Sequence, residues 1–283
     1  MGPARGDQEV VAGWNAGISG SVVRAGRVVH VEHVWGTAVT INLAGTALRE
    51  RDALAGIDDC RAFFEQVDLT FSTFMPHTEV ARYRAMPTDR GPQSPEFDEV
   101  MRACRELRVA TQGAFDPWAV PGGYDPSGYV KGWAAGRASD LLRGAGFADH
   151  LVNAGGDIWA GGDEDPGSGR GWPTGIVNPH APNEVIEVVA LSNQAMATSG
   201  RYERGDHVID PQTGHSARGV DSATVVGPDA GIADAAASAA LVHGEASMTW
   251  FADLGPSWSL HLVMGQSVRT VGPAFDSPSA VRR

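Results

Sequence analysis

The stretch from Thr198 to Ala240 constrains the chain most, because it sets β-branched runs and one long apolar helix in close succession. It reads Thr198-Ser-Gly200, then His207-Val-Ile-Asp-Pro-Gln-Thr-Gly214, then Ser222-Ala-Thr-Val-Val226, then Ile232-Ala-Asp-Ala-Ala-Ala-Ser-Ala-Ala240. Val208 and Ile209 form a short β-branched run, and Asp210 to Gly214 carry turn chemistry with Pro211 preset at the second position. A second β-branched run follows, so the spacing predicts strand, turn, strand. The alanine-rich segment after Gly227-Pro228-Asp229 has high helix propensity. On that helix Asp234 and Ser238 stand four residues apart and share one face. Two hard oxygens one turn apart in an otherwise apolar helix suit Mg²⁺. A local role fits the same pattern, with Ser238 bonded back to the Asp234 carbonyl and Asp234 merely exposed.

Further motifs precede it. Trp35-Gly36-Thr37 follows a β-branched run. Phe71-Ser-Thr-Phe-Met-Pro-His-Thr-Glu-Val-Ala-Arg82 follows an amphipathic pattern in which Leu54, Ile57, Cys60, Phe64 and Val67 recur at helical spacing. In Gly113-Ala-Phe-Asp-Pro117, small residues beside an aromatic let backbone N–H groups approach a flat ligand, and Asp116 can accept from it. Asp125-Pro-Ser-Gly-Tyr-Val-Lys-Gly132 holds the sole lysine of a chain with 22 Lys plus Arg. A composition that writes Arg elsewhere keeps a compact ammonium here, and the two are not interchangeable at a point-charge site. Lys131 is expected to open a helix ending at Gly144 or Gly146, and helix N-termini favour anions. Leu151-Val-Asn-Ala-Gly-Gly-Asp-Ile-Trp159 is not a dinucleotide fingerprint, since its glycines lie between two strand-like pieces. A close backbone approach or a bulge is expected there.

In this order the motifs resemble the signatures of the ApbE-type FAD:protein FMN transferases, across roughly residues 34–271. The resemblance implies Mg²⁺-dependent transfer of FMN from FAD to a Thr or Ser hydroxyl of an acceptor protein, releasing AMP. It implies metal ligation by Asp234, Ser238 and the Gly128 carbonyl. By position Asp125 and Lys131 match flavin-binding residues, as do Ala114, Phe115 and Asp116. Trp35 stands where the family usually has Met at its flavin site, and Phe74 replaces the usual Tyr. The resemblance implies Val208 as a further flavin contact. His207 serves either as base for the incoming hydroxyl or as a flavin contact, with Asp210 orienting it or forming the turn. Lys131 adds a fixed positive charge. Ser238 replaces the usual Thr and keeps the hydroxyl. The largest departure is a missing segment: Trp118 to Tyr124 directly bridges two motifs that the family separates by some tens of residues. Two other activities stay open on the residues alone: a FAD pyrophosphatase yielding FMN and AMP, and a non-catalytic flavin carrier.

The β-branched runs at 22–23, 28–31 and 38–41 predict an opening antiparallel meander, and Ser259–Met264 with Ser267–Val271 a closing hairpin. The fold class is therefore α+β, mostly antiparallel sheet with packed helices, with one or two lobes and the flavin in the crevice. Residues 17–272 are expected as one domain, 1–16 as a loose leader and 273–283 as a tail. Ser94 is expected to cap a helix starting at Pro95, with Phe97, Met101, Cys104 and Leu107 buried. Cys60 and Cys104 lie on separate helices without metal or redox spacing, and are expected as buried free thiols. The formal net charge of −12 comes with no basic stripe, which argues against nucleic acid as partner. No run approaches a membrane span. Residues 1–13 lack signal-peptide features, so the cytoplasm is the expected compartment.

Overall fold

The computed structural model describes residues 19–86, 93–201 and 208–276. The three opening runs become β1 (Gly20–Arg24), β2 (Arg27–Val34) and β3 (Thr37–Ala44), paired as a meander. They are followed by β4 (Asp149–Ala154), β5 (Asp157–Gly161), β6 (Trp172–Asn178), β7 (Ala181–Leu191) and β8 (Gln194–Gly200), then β9 (Ser222–Gly227), β10 (Ser259–Met264) and β11 (Ser267–Val271). Nine of them form one sheet in the order β1-β2-β3-β4-β5-β8-β9-β10-β11, while β6 and β7 make a separate hairpin. Every pairing in the large sheet is antiparallel.

Side chains alternate across this sheet with the period of two that a strand imposes. On β8, Ala195 and Ala197 join the helical core, whereas Met196 joins Trp172, Ile176 and Leu191 of the hairpin layer. The helical layer contains α1 (Glu50–Phe71), the short α2 (Glu79–Ala85), α3 (Pro95–Ala110), α4 (Ser127–Gly144), α5 (Ala230–His243) and a single turn α6 (Met248–Phe251). Ser94 caps α3 by accepting from the Phe97 N–H at 3.2 Å, and Asp229 caps α5 by accepting from Ile232 N–H at 2.8 Å.

A helix apolar on all sides has to be interior. α5 follows that rule, with Ala233, Asp234, Ala235, Ala236 and Ala237 all buried. Its small residues let α4 cross it closely. A Cβ placed on Gly132 would lie 2.1 Å from the Ala230 carbonyl oxygen, so only glycine fits that crossing.

Several expectations are corrected. α4 starts at Ser127, so Lys131 sits one turn inside it rather than opening it. Val208-Ile209 is not a strand: Ile209 makes one isolated bridge to Ser216, and β9 pairs instead with β8 and β10. Between β4 and β5, Gly155 (φ +66°) and Gly156 (φ +104°) form a two-residue hairpin turn rather than a bulge. The close approach does occur, because a Cβ on Gly155 would meet the Thr37 hydroxyl at 2.6 Å. The start of the expected tail is packed: Ala274 N–H donates to Ser259 Oγ, and Phe275 lies 5.4 Å from the His261 ring. Cys60 and Cys104 are buried free thiols, each pushed by burial up to about 12. Among the described residues no helix is long and apolar enough to cross a membrane.

Candidate functional site

A cavity of about 410 Å³ opens where the first turns of α4 face the middle of α5. Gly128, Val130 and Lys131 of α4 line it, together with Asp234, Ser238 and Val242 of α5 and Thr198 and Ser199 of β8. The loop after α3 contributes Ala114, Phe115, Asp116 and Pro117, and the end of α1 contributes Val67, Asp68 and Phe71. Val208, Ile209 and Pro211 close a further side.

The polar end is built by helix geometry. Asp234 and Ser238 face the same space because residues four apart on a helix lie one above the other. Ser238 Oγ lies 3.0 Å from Ser199 Oγ on β8, and Thr198 Oγ1 lies 2.8 Å from Thr224 Oγ1 on β9. Ser238 therefore bonds across to β8, and Asp234 is buried at 3% exposure; neither has the local, exposed role the sequence also allowed. Gly128 is their neighbour across the helix crossing, since a Cβ there would sit 3.7 Å from Ser238 Oγ.

Lys131 does not reach solvent as a free charge. Its Nζ donates to Asp157 and, at 3.3 Å, to Asp234 Oδ2. Desolvation by itself lowers the Lys131 pKa, but the two carboxylates outweigh it and hold the ammonium well above its ordinary range. The Gly132 N–H also approaches Asp234 Oδ2, at 3.4 Å. Asp157 was not among the residues singled out from the sequence, although it ends the quoted Asn-Ala-Gly-Gly-Asp run. The signal was the hairpin turn: a carboxylate immediately after Gly-Gly, two residues before Trp159, falls on the helix-facing side of β5.

The aromatic end is built by loops. Phe115 lines the cavity, but the N–H groups of Ala114 and Phe115 are spent on the Thr111 carbonyl and hydroxyl, both at 3.1 Å. The expected presentation of those N–H groups to a ligand is thereby corrected: the side chains face the space instead. Asp116 Oδ1 accepts from Trp118 N–H at 2.9 Å, and its Oδ2 pairs with Arg108 at 2.7 Å. Asp125 accepts from Ser127 N–H at 3.0 Å and lies 3.5 Å from Arg84. Trp35 occupies the turn between β2 and β3 at φ +57° and lines the cavity. Its ring meets Phe64 edge-on at 5.2 Å, and its Nε1–H donates to the Phe64 carbonyl. Phe74 stands at the cavity rim, 95% exposed.

The short bridge after Pro117 closes on itself. Asp125 N–H donates to the Pro117 carbonyl at 2.8 Å, Trp118 packs 5.1 Å from Tyr124, and Arg84 Nε–H donates to the Tyr124 carbonyl at 2.7 Å. Val208 borders the cavity, whereas His207 lies outside the described residues. Asp210 is not part of the lining. Its Oδ1 accepts from Gln212 N–H at 2.8 Å and its Oδ2 from the Thr213 hydroxyl at 2.9 Å, so the carboxylate holds the turn.

Known proteins resemble this chain in sequence and in fold. The family model described as ApbE family matches residues 35–122 and 123–257. A protein of Rhodobacter capsulatus named FAD:protein FMN transferase is 36% identical over 129 residues, which cover 43% of this chain and 24% of that protein. One of the same name from Haemophilus influenzae is 32% identical over 139 residues, covering 45% of this chain and 40% of its own length. The matched stretches thus span well under half of these relatives. Among solved structures, the flavin transferase ApbE from Vibrio cholerae superposes with a TM-score of 0.77 at 20% identity, covering 89% of this chain and 99% of that one. The ApbE protein of Thermotoga maritima gives 0.74 at 24% identity, covering 89% and 96%. These likenesses fix the fold as theirs. Since the family match runs from the Trp35 turn to beyond α5, taking in both ends of the cavity, the chain belongs to the ApbE family.

Proposed function

We propose that this chain transfers the FMN half of FAD to a Thr or Ser hydroxyl of an acceptor protein, releasing AMP, with Mg²⁺ bound beside Asp234. The observation that carries this reading is one cavity with the Asp234 carboxylate, the Ser238 hydroxyl and Gly128 at one end, and Trp35, Phe71, Phe74 and Phe115 among its other walls. The donor set fits the ion. Among the described residues no three His, Cys, Asp or Glu cluster as a soft or all-carboxylate cage. At its polar end the cavity offers the Asp234 carboxylate with the Ser238 hydroxyl and Gly128 beside it, a hard and incomplete set of the kind Mg²⁺ completes with substrate phosphates and water.

Asp234, Ser238 and the Gly128 carbonyl would hold the ion. When bound, it polarises the pyrophosphate and offsets charge on the departing AMP. The chain's own residues bind and orient. Phe115, Trp35 and Phe74 provide apolar surface for the flavin rings, and Asp125 and Asp116 accept hydrogen bonds from the ligand. In the transfer itself the acceptor oxygen bonds to the FMN-side phosphorus and the bridging P–O bond to AMP breaks. The hydroxyl proton leaves to a base, a role assigned to His207, which precedes the cavity-lining Val208 in the chain. Positioning and charge stabilisation are what a protein contributes to such a step.

The test is to incubate the chain with FAD, Mg²⁺ and a candidate acceptor, then read flavin fluorescence on a denaturing gel and AMP in solution. Covalent flavin with stoichiometric AMP is expected. AMP and free FMN without labelled acceptor would make water the acceptor, and binding without AMP would make the chain a carrier.

A further inference from the structure

Lys131 raises a problem for the metal reading: the carboxylate assigned to the cation already carries an ammonium. Two positive groups on one carboxylate repel each other, and in a site shielded from water that repulsion is strong. The structure places a second carboxylate on the far side of the lysine. Asp157, 2% exposed at the start of β5, accepts from Lys131 Nζ, while Asp234 Oδ2 lies at 3.3 Å from the same nitrogen. Among the described residues, both hydrogen bonds to Asp234 fall on Oδ2, from Lys131 and from the Gly132 N–H, which leaves Oδ1 for a ligand.

We infer that Asp157 is a positioning residue for the cation site: it neutralises and anchors Lys131, so that Asp234 keeps its negative charge for a divalent ion. This inference rests on the proposed function. Asp157 itself stands outside the cavity lining. Its backbone supports the assignment. Asp157 follows the Gly155-Gly156 turn, whose φ angles of +66° and +104° suit glycine, and Gly155 packs on Thr37 too closely for a side chain. The turn therefore fixes where the carboxylate emerges. Partners of metal-ligating carboxylates commonly alter metal affinity by about 10- to 100-fold when removed.

The experiment uses the full chain and Mn²⁺ as probe, with the free ion measured by its electron paramagnetic resonance signal and competition by Mg²⁺ as the specificity check. The wild type is expected to bind Mn²⁺, and Asp234→Asn to lose it. Asp157→Asn is expected to weaken binding at least about tenfold, because the ammonium then rests on Asp234 alone. Lys131→Gln is expected to tighten it several-fold. The double variant Lys131→Gln/Asp157→Asn, which removes one charge of each sign, is expected to return to wild-type affinity or better. A purely structural Asp157 would give no such rescue.

Unchanged affinity in Asp157→Asn, or a double variant as weak as Asp157→Asn, overturns the inference while leaving the metal site standing. A wild type without Mn²⁺ binding, or an Asp234→Asn variant that binds normally, removes the metal reading and the inference with it. Thermal melts establish that each variant is folded. Should Asp157→Asn unfold, Lys131→Gln decides, and unchanged affinity there overturns the inference.

Discussion

The two ends of the cavity are built differently. The polar end lies between α4 and α5, whose crossing is so close that Gly132 meets the Ala230 carbonyl with no room for a Cβ. The aromatic end is a set of loops, tied by single hydrogen bonds such as Trp118 N–H to Asp116 and Arg84 Nε–H to the Tyr124 carbonyl. The first cannot shift without opening the core, whereas each tie of the second contributes on the order of 1 kcal/mol. The groups proposed to hold the ion stand on helices and a sheet, and most of the surfaces proposed to receive the flavin stand on loops. The short bridge after Trp118, where the family resemblance implies a longer segment, falls in the loop end.

The largest expected effect is at the rigid end. Asp234→Asn keeps the shape and removes the charge a hard cation needs, so AMP release from FAD should fall by about 10²-fold or more, the equivalent of several kcal/mol. Asp234 is buried and paired with Lys131, so this is no surface change; a stability loss of about 1–3 kcal/mol should accompany it. A steady-state AMP assay beside a thermal melt checks both. Full activity in the folded fraction would leave Asp234 a structural residue only.

Next comes the crossing itself. Gly132→Ala puts a Cβ against the Ala230 backbone, and overpacking of that kind costs about 1–3 kcal/mol or more, lowering Tm by roughly 5–10 °C. A melt unchanged within a degree would show that the crossing yields, and the contrast between the two ends would be lost.

At the loop end, Arg84→Ala frees the Tyr124 carbonyl and leaves Asp125 without its cation at 3.5 Å. FAD affinity, measured by flavin fluorescence, should weaken about 5-fold, with Tm lower by only a few degrees, as suits a partly exposed pair. A loss of fold instead would make this loop as structural as the helices.

Three buried histidines make the frame that carries both ends sensitive to acid. His150 has its Nδ1 at 2.8 Å from the Phe147 carbonyl and its Nε2 at 2.7 Å from the Ser139 hydroxyl, and burial lowers its pKa, as it does for His30 and His261. A lowered pKa means the unfolded chain takes up the proton first. Stability is therefore complete above the unfolded value of about 6.5 and declines as pH falls from there towards the folded value, by at most about 1.4 kcal/mol per pH unit for each histidine. Melts between pH 7.5 and 5.5 should show this fall, and His150→Gln should flatten the slope. An equal slope in that variant would place the titration elsewhere.

The smallest effect is expected at Gly128. A Cβ there meets Phe115 at 3.4 Å and Ser238 Oγ at 3.7 Å, ordinary contact distances, and the carbonyl does not depend on the side chain. Gly128→Ala should leave stability within about 0.5 kcal/mol and AMP release within twofold. A large loss would mean that the polar end has no spare room even where the distances allow it.

Much of this could be read before any fold was known. The opening meander, α1, α3 with its Ser94 cap, α5 and the closing hairpin follow from local periodicity, propensity and turn residues, because hydrophobic spacing within a window records which face is buried. The pairing of Asp234 with Ser238 was legible for the same reason: a helix converts a sequence interval of four into adjacency. The tertiary structure alone decided what lies opposite. That β9 would pair with β8 and β10, leaving Val208-Ile209 outside the sheet, depends on which edges are open, and no local pattern states that. That the carboxylate of Asp210 would serve its own turn, and the N–H groups of Ala114 and Phe115 would turn back to Thr111, depends on competing partners at similar distance in the chain. The meeting of Lys131 with Asp157 spans a hairpin and a helix; contacts so distant in sequence have no period, and only the packing of α4 on β5 brings the two charges together.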